Sequence, residues 1–152
     1  MPITARFVHA NIVAHDWKRL ADFYEHVFAC TPVPPERHLS GPWIDAATSI
    51  PDTEIRGLHL RLPGFGEHGP TLEIFQYTRP ESGPKPVINR PGLTHIAFAV
   101  DDVEAARDAV VRAGGGTVGD MVTRAIPGAG SVTFVYLTDP EGNIVELQKW
   151  SP

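Results

Sequence analysis

Apolar positions in this chain change their spacing twice, in the same order each time. From Arg6 to Ala14 β-branched and aromatic residues dominate, which predicts a strand, and Asp16 follows as a residue suited to cap a helix. Trp17, Leu20, Tyr24, Val27 and Phe28 then recur at three- and four-residue spacing, one face of a helix. Thr31-Pro32-Val33-Pro34-Pro35 ends that helix and reads as a loop. Three strands are predicted beyond it: a short one over 43–46, a second over 54–62 and a third over 71–77. Pro51-Asp52 and Pro63-Gly64-Phe65-Gly66 supply the turns.

Residues 78–91 carry Pro80, Gly83, Pro84, Pro86 and Pro91, a density of breakers that excludes a long helix or a central strand. The order then repeats. A strand over 93–100 leads to a cap at Asp101 or Asp102, and a helix runs through Val103, Ala106, Ala109, Val110 and Ala113 to the stop at Gly114-Gly115-Gly116. Strands are predicted over 117–125, 131–137 and 143–149, joined by Pro127-Gly128-Ala129-Gly130 and Asp139-Pro140-Glu141-Gly142. A βαβββ unit written twice is the economical architecture, with one module over 5–78, a proline-rich linker over 79–91 and a second module over 92–150.

Composition narrows the class of function. A hydrophobic share of 42% with 20% charged residues is ordinary for a soluble globular chain of 152 residues. The formal charge of −5 comes without a clustered basic face, so nucleic acid is not an expected partner. Arg6, His9, His15 and Asp16 interrupt the N-terminus, and the longest apolar runs, such as Ile96 to Val100, are too short to cross a bilayer. No secretory signal or membrane span is expected, and a cytoplasmic address follows by default. Cys30 stands alone, which excludes a disulfide framework and a cysteine-rich zinc site; it reads as a small packing residue.

The repeated frame carries chemistry at matching places. His9 and His95 lie in the first strand of each module, and Asp16 and Asp102 each follow seven residues later. Strand alternation puts Phe7, Asn11 and Val13 on the face of His9, and Leu93, Ala97 and Ala99 on the face of His95. In the closing strands Glu73 stands between Leu72 and Ile74, and Glu146 between Val145 and Leu147. A carboxylate amid such residues is costly to bury unless paired or bound to a cation. His9, Glu73, His95 and Glu146 thus form a candidate ligand set for one divalent ion between the modules. Two nitrogens and two oxygens leave open positions on an octahedral ion; zinc, nickel, cobalt, manganese or iron are all compatible.

The same alternation nominates Asn11, Phe75, Tyr77 and Gln148 as cavity residues, with Asn11 and Gln148 the better candidates for substrate hydrogen bonds and Phe75 mainly for packing. Arg124, next to a glycine-rich turn, is a candidate for reaching an anionic substrate. His59 and Arg61 share a face with Gly57, and a solvated outer face and a pocket role both remain open for them. His15, His26, His38 and His68 have no counterpart in the other copy and receive no role.

From Phe7 to Lys149 the chain resembles the vicinal oxygen chelate superfamily, which includes glyoxalase I, methylmalonyl-CoA epimerase, extradiol dioxygenases and fosfomycin or bleomycin resistance proteins. The segments that carry the resemblance are the first strand and helix ending in Phe23-Tyr24, Pro91-Gly92-Leu93-Thr94-His95-Ile96-Ala97-Phe98, and Asp139-Pro140-Glu141-Gly142-Asn143-Ile144-Val145-Glu146-Leu147. It implies an α+β fold in which two tandem βαβββ modules form a curved, cleft-bearing mixed sheet. It further implies metal ligands on the first and last strands of each module, at His9, Glu73, His95 and Glu146, and it implies a homodimer.

The order His, Glu, His, Glu is similar to glyoxalase I, where a metal-bound glutamate can act as base, so Glu146 and Glu73 become candidates for reciprocal acid and base roles. The implied activity is that of a divalent-metal-dependent lyase or isomerase, moving a proton through a stabilised enolate or enediolate of a small oxygenated substrate. The segment 43–56 and the linker depart from a glutathione-binding glyoxalase and are closer to epimerase-like members. Two alternatives share the fold: an iron(II)-dependent ring-cleaving dioxygenase, and a non-catalytic resistance protein that sequesters a ligand. Intact ligand residues weigh against the latter.

Overall fold

A computed structural model describes all 152 residues, in three α-helices and nine strands. The chain divides into two compact units, Met1–Ser82 and Gly83–Pro152. The fold is α+β, with one mixed sheet in each unit.

In the first unit β1 (His9–Val13) leads to α1 (Trp17–Phe28), and Asp16 caps the helix by accepting from the Arg19 amide at 3.2 Å. Trp17, Leu20, Ala21, Phe23, Tyr24 and Phe28 bury one face of α1, so Ala21 and Phe23 join the expected stripe and Val27 sits only half-buried. The sheet then runs through β2 (Thr31–Ser40), β3 (Glu54–Arg61) and β4 (Thr71–Tyr77), in spatial order β1-β4-β3-β2. β1 lies parallel to β4, and the other neighbours are antiparallel. Leu60, Leu72 and Ile74 are fully buried on the core face, as are Leu20 and Tyr24 of α1.

Two expectations fail in this unit, both for reasons of position. The proline segment 31–35 is a strand, not a loop, because β2 is an edge: a proline that cannot donate loses nothing where no neighbour lies beyond it. A register shift between Val33 and Arg37 absorbs Pro34 to Glu36, and the Pro34–Pro35 peptide is cis. The predicted short strand over 43–46 is instead part of the helix α2 (Pro42–Thr48). Pro42 is pre-set for a first helical turn, and the Asp45 carboxylate accepts from the Asp52 and Thr53 amides at 3.0 and 2.8 Å, fixing the turn into β3.

Residues 78–94 contain no helix or strand. The second unit comprises β5 (His95–Ala99), α3 (Val103–Arg112), β6 (Gly116–Thr117), β7 (Val122–Ile126), β8 (Gly130–Thr138) and β9 (Ile144–Ser151). Asp102 rather than Asp101 caps α3, accepting from the Ala105 amide at 3.0 Å. β5 lies parallel to β9, β9 antiparallel to β8, and both β6 and β7 pair with β8. The single strand expected over 117–125 is therefore split, with Val118 to Met121 interrupting the ladder. Asp139, 2% exposed, accepts from the Glu141 and Asn143 amides and from Asn143 Nδ2, which locks the turn that aims β9.

Candidate metal centre

Each unit brings its histidine and glutamate together by the same register. Asn11 of β1 faces Glu73 of β4, and Ala97 of β5 faces Glu146 of β9, so each histidine stands two residues before the carboxylate's partner. Leu72 and Ile74 point to the core at 0% exposure, as do Val145 at 1% and Leu147 at 0%, which turns both glutamates to the opposite face. His9 Nε2 lies 3.1 Å from Glu73 Oε1, and His95 Nε2 lies 3.1 Å from Glu146 Oε2. The carboxylate side chains are only 12% and 15% exposed.

The next strand adds a residue to each pair. His59 of β3 faces Glu73, and Tyr136 of β8 faces Glu146. His59 Nε2 is 2.8 Å from Glu73 Oε2, and its Nδ1 is 3.1 Å from Thr71 Oγ1. The Tyr136 ring packs edge-on against His95 with centroids 5.2 Å apart. Sequence alternation alone leaves His59 between an outer face and a pocket, because the loop over 62–70 hides which residue of β3 meets Glu73. Aligning the two copies across their last ladders is the available signal, since His59 and Tyr136 fall in the same place.

Glu73 is the more heavily engaged carboxylate. It meets His9 at one oxygen and His59 at the other, and Asn11 Nδ2 donates to Oε1 at 3.2 Å. Glu146 meets only His95. Burial lowers the pKa of His59 despite the opposing charge of Glu73, with Arg37, His9 and Arg61 adding to the lowering. Desolvation first, and then the charge of Glu146, raises the Tyr136 phenol.

The remaining candidates fall at different distances from this chemistry. Phe75 packs edge-on against the His59 ring at 5.9 Å, and Asn11 bonds Glu73 as described. Tyr77 stands four residues along β4 from Glu73, in a pocket with Ile50, Thr53 and Arg79. Gln148 lies two residues beyond Glu146 and accepts from Trp150 Nε1. Arg124 is exposed on β7, paired with Val132. A cavity of about 370 Å³ between α1 and β2, lined by Trp17, Ala21, Val33 and Leu58, includes none of the ligand set.

The donor set fits a divalent cation. Nitrogen and oxygen atoms of His9, His59 and Glu73 all lie within 4.8 Å of one another. Neighbouring ligand atoms on an octahedral ion with bonds of about 2.1 Å are roughly 3 Å apart, close to the 3.1 and 2.8 Å separations observed.

Residues 6–147 match the family model described as Glyoxalase/Bleomycin resistance protein/Dioxygenase superfamily. The chain belongs to that superfamily. Its members typically bind a divalent metal, in keeping with the imidazole and carboxylate groups above. Among solved structures, a glyoxalase family protein from Bacillus cereus shares the superfamily fold with a TM-score of 0.75 at 15% identity, covering 100% of this chain and 97% of that one. A glyoxalase/bleomycin resistance protein/dioxygenase family enzyme from Burkholderia phytofirmans gives 0.60 at 17% identity, over 97% and 100%. TioX from Micromonospora gives 0.55 at 15% identity, over 97% and 100%. No curated protein matches the chain.

Proposed function

We propose that this chain is a divalent-metal-dependent enzyme of glyoxalase type, a lyase or isomerase that transfers a proton next to a carbonyl of a small oxygenated substrate. The observation that carries the reading is the repeated pair, His9 with Glu73 and His95 with Glu146, at one register and one separation in two sheets. These four residues are the proposed ligands. A bound divalent ion supplies Lewis-acid charge that stabilises negative charge on substrate oxygen.

The chain's own residues supply the proton chemistry. Beyond its proposed ligand partner His9, Glu73 meets Asn11 Nδ2 at one oxygen and His59 Nε2 at the other, so it is suited to stay in place. Glu146 meets only its proposed ligand partner His95 and is the carboxylate with an oxygen to take a proton from substrate carbon and return it. Phe75 and Tyr136 present ring surface beside the histidines, which limits water near the reacting carbon. Gln148 and Arg124 remain proposed substrate contacts. The reading includes a small-molecule substrate, a cytoplasmic homodimer, and neither nucleic acid nor membrane as partner; no helix is long and apolar enough to cross a membrane.

A second reading draws on one specific observation. His9, His59 and Glu73 are two imidazoles and a carboxylate, the donor composition of iron(II) oxygenases. Proton exchange separates the two. In D2O, metal-loaded protein incubated with a panel of 2-oxo compounds and thioesters should introduce deuterium at the carbon next to the carbonyl, about 100-fold more slowly in Glu146→Gln. Oxygen consumption with a catechol panel and no deuterium incorporation would overturn the proton-transfer reading in favour of the dioxygenase.

A further inference from the structure

The duplication accounts for one histidine and one glutamate in each unit, and His59 is in excess of it. We propose that His59 is a metal ligand, so that His9, His59 and Glu73 form a cation site complete within the first unit, able to keep its ion without His95 and Glu146. The inference rests on the metal-dependent reading above and names the residues that retain the ion.

Three observations carry it. The two imidazole Nε2 atoms approach different oxygens of one carboxylate, at 3.1 and 2.8 Å, which places three donors around a common point. The other ring nitrogen of His59 is held by the hydroxyl of Thr71, itself 6% exposed, at 3.1 Å. A metal-bound histidine characteristically has such an outer partner, which fixes its tautomer and ring orientation. His95 shows the same arrangement through Thr94 Oγ1 at 3.2 Å. His59 is also the most enclosed of the three site histidines, at 17% exposure against 40% for His9 and 30% for His95.

In the second unit the corresponding place holds Tyr136, leaving one imidazole and one carboxylate there. The copies are therefore unequal as cation sites. Two imidazoles with a carboxylate suit zinc, nickel, cobalt or iron(II) better than magnesium or calcium, which prefer all-oxygen shells.

A hydrogen bond from His59 to Glu73 without metal ligation is the competing role, and His59→Gln separates the two by keeping an amide donor while removing the imidazole. The experiment is a cobalt(II) titration of the metal-free full chain, followed by visible absorption, with His59→Gln, His59→Ala and the double variant His95→Ala/Glu146→Gln, each checked for a cooperative melt. The wild type should bind one cobalt ion, and the double variant should still bind one within about tenfold of its affinity. His59→Gln should bind more than about 100-fold more weakly, beyond the usual effect of losing an outer hydrogen bond, and with an altered spectrum. Unchanged affinity and spectrum in folded His59→Gln would overturn the inference while leaving the metal-dependent reading intact, as would a double variant that binds no cobalt. A wild type that binds none would overturn both.

Discussion

Glu73 and Glu146 show how much a residue's immediate neighbours disclose about it. Placement between apolar residues is enough to turn each carboxylate away from the core, and Leu72, Ile74, Val145 and Leu147 are indeed only 0–1% exposed. His59 is not legible in the same way, because alternation gives a face but not the cross-strand partner. Cys30 offers a test at this scale that is independent of the metal. Burial, with a smaller contribution from Glu25, pushes its thiol up from 9.0 to about 11. Between those values only the unfolded chain releases the thiol proton, so this group adds no pH dependence well below pH 9 and lowers stability as pH rises towards 11. The expected loss is on the order of 2–3 kcal/mol. Urea melts from pH 8 to 11 should show a steeper loss in the wild type than in Cys30→Ala, which keeps the shallower loss that the raised Tyr136 phenol adds. At pH 8 the native thiol should react with an aromatic disulfide reagent far more slowly than the unfolded chain does.

Helices and most strands can be read from spacing, whereas the proline-bearing edge strand β2 cannot. The prolines of β2 signal a loop by local chemistry, yet an outermost strand does not need the donors they lack. Residues 43–46 mislead because a short apolar run carries no reliable period, and Pro42 and Asp45 decide the helix. Asp102→Ala removes the side-chain acceptor at the start of α3 and should cost about 1 kcal/mol, a melting temperature lower by about 3 °C in calorimetry. Gly57→Ala should be far worse. A Cβ there would lie 2.0 Å from the Ile74 carbonyl oxygen and 2.9 Å from the Phe75 ring, so β3 could not keep its place beside β4. Loss of cooperative folding, or a melting temperature lower by more than about 10 °C, on the order of several kcal/mol, is expected; a melt like that of the wild type would contradict the close β3–β4 approach.

At the scale of the whole chain, duplication is the most informative property of the sequence, because it turns four separately unremarkable residues into two copies of one arrangement. Within each unit the histidine and the carboxylate stand 3.1 Å apart. What duplication conceals is the inequality of the halves: three donors surround Glu73, and a phenol stands where the second unit has no counterpart to His59. A bound divalent ion is the central requirement of the proposed chemistry. Metal content of the 152-residue chain, purified without chelator and measured by plasma mass spectrometry, tests this most directly. One ion per chain in the wild type, and almost none in folded His9→Ala and Glu73→Gln, is the predicted result. A folded wild type free of metal that takes up none of zinc, nickel, cobalt, manganese or iron(II), or a Glu73→Gln variant with its full complement of metal, would contradict it.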